Sequence, residues 1–177
     1  MADEFRIDSH KLIFHPDRVA KWLKGESIYP ICMEISPSGS CNHRCVFCGL
    51  DYLGYKPGFL DKKLVLDNLK EMALKDLKSI VVAGEGEPLL NKHTPEIING
   101  AKSFGIDVAM SSNGVLFSKD VASECLGSLT WVRFSVNAGS SKTHHFVHKG
   151  GTGDFDKAII NISDAVKIKK DKGLRTT

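Results

Sequence analysis

The sequence predicts an α/β fold, a partial (βα) barrel of about four βα units with parallel strands, preceded by a short helical leader. Two observations predict it. Short runs rich in β-branched residues alternate with longer amphipathic segments, the order that builds a parallel sheet from βαβ units. Polar, cysteine and glycine clusters also fall at the carboxyl ends of those runs, where such sheets bind ligands.

The elements follow in order. Residues 1–30 read as the leader, with a helix over 16–24 begun by Pro16 and stopped by Gly25. Residues 31–177 read as the core. Ile31 to Ile35 is the first strand, and Ser36-Pro37-Ser38-Gly39-Ser40 opens a loop after it. Leu60, Leu64, Val65, Leu69, Met72 and Ala73 recur at helical spacing, which predicts a helix over 61–75. Leu77 to Ala83 is the second strand, closed by Gly84 and Gly86. A helix over 94–104 ends at Gly105, and Ile106 to Met110 is the third strand, followed by the polar turn Ser111-Ser112-Asn113-Gly114. A short helix near 118–126 leads to a fourth strand, Thr130 to Val136. The last helix, 154–171, carries Phe155, Ala158, Ile159, Ile162, Ala165, Val166 and Ile168 and stops at Gly173.

Composition excludes several classes. The chain has 177 residues, 42% of them apolar and 25% charged, with 16 glycines, as an ordinary globular domain has. A net charge of +3 gives no nucleic-acid signal, and the lysines at 167, 169, 170 and 172 read as a solvated helix face. The start Met1-Ala2-Asp3-Glu4-Phe5-Arg6 is acidic and lacks the apolar run of a secretory signal. No stretch approaches the about 18 apolar residues of a membrane span, so the expected location is the cytoplasm. Of five cysteines, three crowd into Cys41-Asn42-His43-Arg44-Cys45-Val46-Phe47-Cys48. An odd count and close clustering argue against disulfides and for metal or cluster ligation. Cys32 and Cys125 read as small buried residues, Trp22 and Trp131 as packing residues, and His144, His145 and His148 as a polar loop.

The cysteine spacing is C-x3-C-x2-C. Three thiolates from one loop can hold three irons of a cubane and leave the fourth open to a substrate, as catalytic zinc keeps a vacant position. Two plainer readings stand beside this one. Positions i, i+4 and i+7 could line a buried helix face, although the flanking Ser, Pro and Gly residues favour a loop. The site could also be structural zinc with His43 as fourth ligand. Downstream, Gly84-Glu85-Gly86-Glu87-Pro88 offers glycines that let backbone approach a ligand, a carboxylate for an ammonium group, and a stiff exit. On the fourth strand, alternation places Arg133, Ser135 and Asn137 on one face. The plain account of each is a solvated turn or face.

Taken together, these motifs resemble those of the radical S-adenosylmethionine superfamily, from residue 31 to about 173 and in family order. The resemblance implies that Cys41, Cys45 and Cys48 hold a 4Fe–4S cluster whose remaining iron is chelated by S-adenosylmethionine, with Phe47 near the adenine. It implies that Gly84, Glu85, Gly86, Glu87 and Pro88 correspond to a Gly-Gly-Glu-Pro motif that binds the methionine amino group, with Glu85 standing where the family has its first glycine. Ser112 and Asn113 match a strand end that positions the nucleoside. Ser135 and Asn137 match residues that meet ribose and carboxylate, and Lys149 matches a basic residue that pairs with the carboxylate. The implied activity is one-electron cleavage of S-adenosylmethionine to a 5′-deoxyadenosyl radical that takes hydrogen from a substrate the sequence does not specify. A donor such as flavodoxin or ferredoxin would supply the electron. The different-class alternative is a non-catalytic zinc or iron–sulfur module, or a decayed relative. The family fold usually has six βα units, so a fifth strand is expected to begin near Leu174-Arg175-Thr176-Thr177, and the chain is expected to be a fragment or an interrupted frame.

Overall fold

A computed structural model describes residues 11–49, 52 and 57–177. The first ten residues of the expected leader lie outside it. Four strands form one parallel sheet in the order β1 (Cys32–Ile35), β2 (Ser79–Val82), β3 (Asp107–Ser112) and β4 (Leu129–Phe134). Parallel neighbours require crossovers of a dozen or more residues, and helices supply them: α2 (Lys62–Leu74), α3 (Thr94–Ser103) and α4 (Lys119–Cys125). The leader helix α1 (Pro16–Leu23) precedes the sheet, and α5 (Ser141–His148) and α6 (Asp154–Asp171) follow it. No described helix is long and apolar enough to cross a membrane.

Strand alternation makes the two faces of the sheet different. Ile80 and Val82 of β2 and Val108 and Met110 of β3 are fully buried in one cluster with Leu69 of α2, Ile97, Ile98 and Ala101 of α3, Cys125 of α4 and Ile168 of α6. Their neighbours Ser79, Val81 and Ser111 face the other way and are only half-buried. Helices α2, α3, α4 and α6 pack side by side in that order over the apolar face. The opposite face stays open to receive the loops that follow each strand. Side-chain caps fix where these helices start: Asp61 accepts the Leu64 N–H at 2.8 Å and Ser118 that of Val121 at 3.3 Å.

The turn after β3 depends on Gly114. Its φ is +81°, and a Cβ there would sit 3.1 Å from Phe134 and 3.4 Å from Ala158. Asn161 of α6 donates to the carbonyls of Gly114 (2.8 Å) and Val115 (3.0 Å), locking the turn against the helix. Gly114→Ala is therefore expected to cost about 1–2 kcal/mol in urea unfolding through the left-handed backbone alone. A variant as stable as the parent would show that the turn relaxes freely.

Five sequence expectations change. Strand β3 runs through Ser112 rather than ending at Met110, because Ser111 and Ser112 find register partners in Arg133 and Phe134. Strand β4 stops at Phe134 rather than Val136, and Asn137 adopts a φ of +46°, so alternation no longer sets its direction. The segment holding three histidines is helix α5 and not a polar loop, with Ser140 capping it by accepting the Thr143 N–H. Trp22 is 60% exposed and Cys32 half-buried, whereas Cys125 is fully buried as expected. At the far end Thr177 donates to the Thr130 carbonyl (3.0 Å) and accepts from the Val132 N–H (2.9 Å), the exchange a parallel neighbour makes.

Candidate functional site: the cysteine loop and the strand ends

The loop after β1 docks onto the end of α5. The last carbonyls of a helix have no partner within it, and here the cysteine loop supplies donors. Arg44 N–H bonds the His148 carbonyl and Val46 N–H that of Val147, both at 2.9 Å. Arg44 in turn donates its guanidinium to the carbonyls of Cys41 (2.7 Å) and His43 (2.8 Å), closing the loop on itself. Cys48 N–H bonds the Cys45 carbonyl at 2.9 Å.

A cleft of about 330 Å³ runs from this loop across the carboxyl ends of β1 to β4. Its walls include Cys41, Cys45, Phe47 and Cys48 from the loop, Gly84, Gly86 and Glu87 after β2, Ser112 and Asn113 after β3, and Arg133 and Ser135 from β4. Glu85, Pro88, Asn137 and Lys149 are not among them. Glu85 is exposed, with its N–H on the Ser36 hydroxyl at 3.2 Å. Pro88 is buried at the start of a single 3-10 turn, Pro88–Leu90. Lys149 caps α5 with a φ of +52° and holds its ammonium 5.1 Å over the Phe146 ring.

Glu87 organises the cleft. It is 2% exposed, and its carboxylate accepts from the Ser112 hydroxyl (2.8 Å), the Asn113 N–H (2.8 Å) and the Leu89 N–H (3.3 Å). Burial raises its pKa, and the bonds from Asn113, Ser112 and Leu89 oppose that rise. Asn113 carries the network on by donating to the Asn42 side chain of the cysteine loop at 2.7 Å. The glycines serve this assembly too. A Cβ on Gly86 would stand 2.2 Å from the Ser38 carbonyl and 2.4 Å from that of Ser40, and one on Gly84 2.3 Å from the Ser36 Cβ. The missing side chains let the β2 turn press against the shoulder of the cysteine loop, where Glu87 N–H bonds the Ser40 carbonyl at 2.8 Å.

The donor set suits a cluster. Cys41, Cys45 and Cys48 are free thiols on one cleft wall. Burial pushes the Cys45 thiol up to about 11, and the charges of Cys41 and Cys48 add to it. Burial likewise raises Cys41, against the bond from the His43 N–H. Cys41 and Cys45 resist ionising by themselves, and a cationic centre would hold such thiols as thiolates. Phe47 is 62% exposed and sets its edge toward His148, ring centroids 5.8 Å apart.

Behind the cysteines lies a histidine cluster that the sequence reading treated as loop. His43, His144 and His148 are all at most 2% exposed, and the rings of His144 and His148 stack with centroids 4.3 Å apart. His43 Nε2 bonds Asp154 Oδ2 at 3.0 Å. His148 Nε2 donates to the Val136 carbonyl at 2.7 Å, and its Nδ1 meets Cys45 Sγ at 3.1 Å. The i, i+4 spacing of His144 and His148 behind the Ser140 cap was the available signal; nothing local tied Asp154 to His43, which lies 111 positions away.

Comparison with known proteins identifies a family. A family model described as the Radical SAM superfamily matches residues 35–176. The chain belongs to the radical SAM superfamily. A probable GTP 3′,8-cyclase of Saccharolobus islandicus is 32% identical over 138 residues, 77% of this chain and 44% of the relative. An S-adenosylmethionine-dependent nucleotide dehydratase of Lacinutrix mariniflava is 31% identical over 103 residues, 55% of this chain and 21% of the relative. Among solved structures, Streptococcus suis SuiB superposes with a TM-score of 0.69 at 21% identity, over 93% of this chain and 36% of SuiB. The enzyme anSMEcpe, solved with AdoMet bound, gives 0.64 at 21%, over 84% and 43%. The chain thus spans less than half the length of these curated relatives. Radical SAM proteins use a 4Fe–4S cluster and S-adenosylmethionine, and the fold shared with these neighbours is the parallel α/β fold described above.

Proposed function

We propose that this chain carries the cluster- and S-adenosylmethionine-binding part of a radical SAM enzyme. The observation that carries the reading is that one cleft gathers three free thiols from a single loop with the buried Glu87 and the polar ends of β3 and β4. Cys41, Cys45 and Cys48 would hold the cluster. When bound, the cluster and S-adenosylmethionine supply one-electron cleavage of the sulfonium and removal of a hydrogen atom from a substrate carbon.

The chain's own residues do the rest. Glu87 braces Ser112 and Asn113, and its Oε2 keeps a lone pair beyond the Asn113 bond for an ammonium group. Arg133 lines the same cleft and holds the Ser111 hydroxyl at 3.2 Å, leaving further N–H donors for a carboxylate. Arg133 is the better placed cation for that role than Lys149. Ser135 lines the cleft wall near it. The outer edge of the loop, Val46 to Cys48, is exposed, which gives a small electron donor such as flavodoxin or ferredoxin a route of approach. Such a donor and free thiols fit a reducing, cytoplasmic setting. Two relatives named for reactions of nucleotides make GTP the first substrate to test.

Anaerobic reconstitution with iron and sulfide tests the reading. The expected product is brown, binds about four irons per chain and cleaves S-adenosylmethionine when reduced by dithionite. A chain that takes up no iron–sulfur centre under those conditions would refute it.

A further inference from the structure

Strand register sets Glu34, Val81, Ala109 and Trp131 side by side across β1 to β4. Their chain neighbours Ile35, Val82, Met110 and Val132 pack in the apolar core, so alternation turns this row to the open face. Ser111 and Arg133 form the next row, roughly 7 Å further along the strands. Glu34 is exposed and lines the same cleft as Arg133 and the three cysteines. The other charged and imidazole groups of that cleft are engaged. Glu87 accepts from Ser112 and Asn113, and Arg133 holds the Ser111 hydroxyl. His43 bonds Asp154, and His148 the Val136 carbonyl. Among these groups Glu34 alone makes no hydrogen bond or ion pair with any described residue.

We propose that Glu34 selects the substrate of the radical reaction by accepting two N–H donors from the edge of a planar ring of the guanine class. This rests on the radical SAM reading, which puts S-adenosylmethionine at the strand-end rim and its substrate beside it. A carboxylate only accepts, and it offers two oxygens in one plane. Guanine carries N1–H and its 2-amino group next to one another, a pair of donors that two such oxygens can take together. The rest of the row is apolar, Val81 and Ala109 leading to the half-buried Trp131 indole. Apolar surface holds the body of a ring while a single polar group fixes its orientation. A phosphate at this position would meet like charge, so a nucleotide enters base first, with its phosphates turned away from β1.

Equilibrium dialysis of the reconstituted chain, loaded with S-adenosylmethionine, against guanosine and inosine tests the role. Inosine keeps N1–H and lacks the 2-amino group. The parent should bind guanosine about 10–100-fold more tightly than inosine, the discrimination of one bidentate pair. In Glu34→Gln one acceptor and one donor face the ring. Both nucleosides offer these the same N1–H and O6, so the preference should collapse to within about 2-fold. Agmatine, a guanidinium without a ring, should bind more weakly than guanosine, and tighter binding would overturn the ring assignment. Glu34 is exposed and bonds no described residue, so the variant should fold and take up as much iron as the parent. With iron in place, three results would each overturn the inference and leave the cluster reading standing: equal parent affinity for the two nucleosides, binding of neither, or a guanosine preference that survives in Glu34→Gln. A parent chain that takes up no iron would fail the cluster reading, and this inference with it.

Discussion

A chain carrying Cys48→Ala is expected to leave anaerobic reconstitution almost free of iron, while the unsubstituted chain takes up about four irons. Two thiolates can anchor only two corners of a cube, and no fourth cysteine stands on that cleft wall to replace the third. The substitution separates ligation from folding. Cys48 is exposed, so alanine there should leave stability within about 0.5 kcal/mol of the parent. Cys125→Ala reverses the pattern. Its thiol is fully buried, with Sγ 3.2 Å from the Val121 carbonyl, so stability should fall by about 1 kcal/mol while iron content stays unchanged. Iron assay and urea unfolding on the same preparations check both. Four irons retained by Cys48→Ala would end the three-cysteine assignment.

Glu87→Ala should be among the most destabilising single changes in the chain. It strips the acceptor from the Ser112 hydroxyl and from the N–H groups of Asn113 and Leu89. Hydrogen bonds to a charged group are each worth about 1.5–3 kcal/mol, and alanine cannot replace any of them. A loss of roughly 3–5 kcal/mol follows, a fall of about 6–20 °C in melting midpoint for a domain of this size. The effect should reach the cleft, because Asn113 ties Glu87 to Asn42 of the cysteine loop, and S-adenosylmethionine affinity should fall with stability. Glu85→Ala, two positions away and exposed, should change the melting midpoint by no more than about 2 °C. Equal midpoints for the Glu87 variant and the parent, by calorimetry, would show that the strand ends do not need this carboxylate.

Much of this site is legible in one dimension because its parts are local. The three cysteines are spaced within one loop, and Glu87 follows β2 directly, so spacing alone brings them to the same rim. Elements with strong periodicity fall where the pattern puts them: α2, α3 and α6 differ from the expected spans by a residue or two at most. The errors cluster where a distant partner decides. Ser111 and Ser112 look like a turn until β4 pairs with them. Lys149 looks like a carboxylate partner until α5 turns it to Phe146. Gly84 and Gly86 look like room for a ligand, yet the atoms that forbid a Cβ belong to Ser36, Ser38 and Ser40.

The sequence by itself determined the parallel α/β order, the family and the thiol trio, since hydrophobic period and short motifs are properties of neighbouring residues. Only the tertiary structure decided what surrounds those thiols. It brought α5 against the cysteine loop, set His148 Nδ1 beside Cys45 Sγ, and joined His43 to an aspartate 111 positions away. Buried polar groups must find partners wherever the fold offers them, and a list of residues does not state which distant carboxylate or carbonyl that will be.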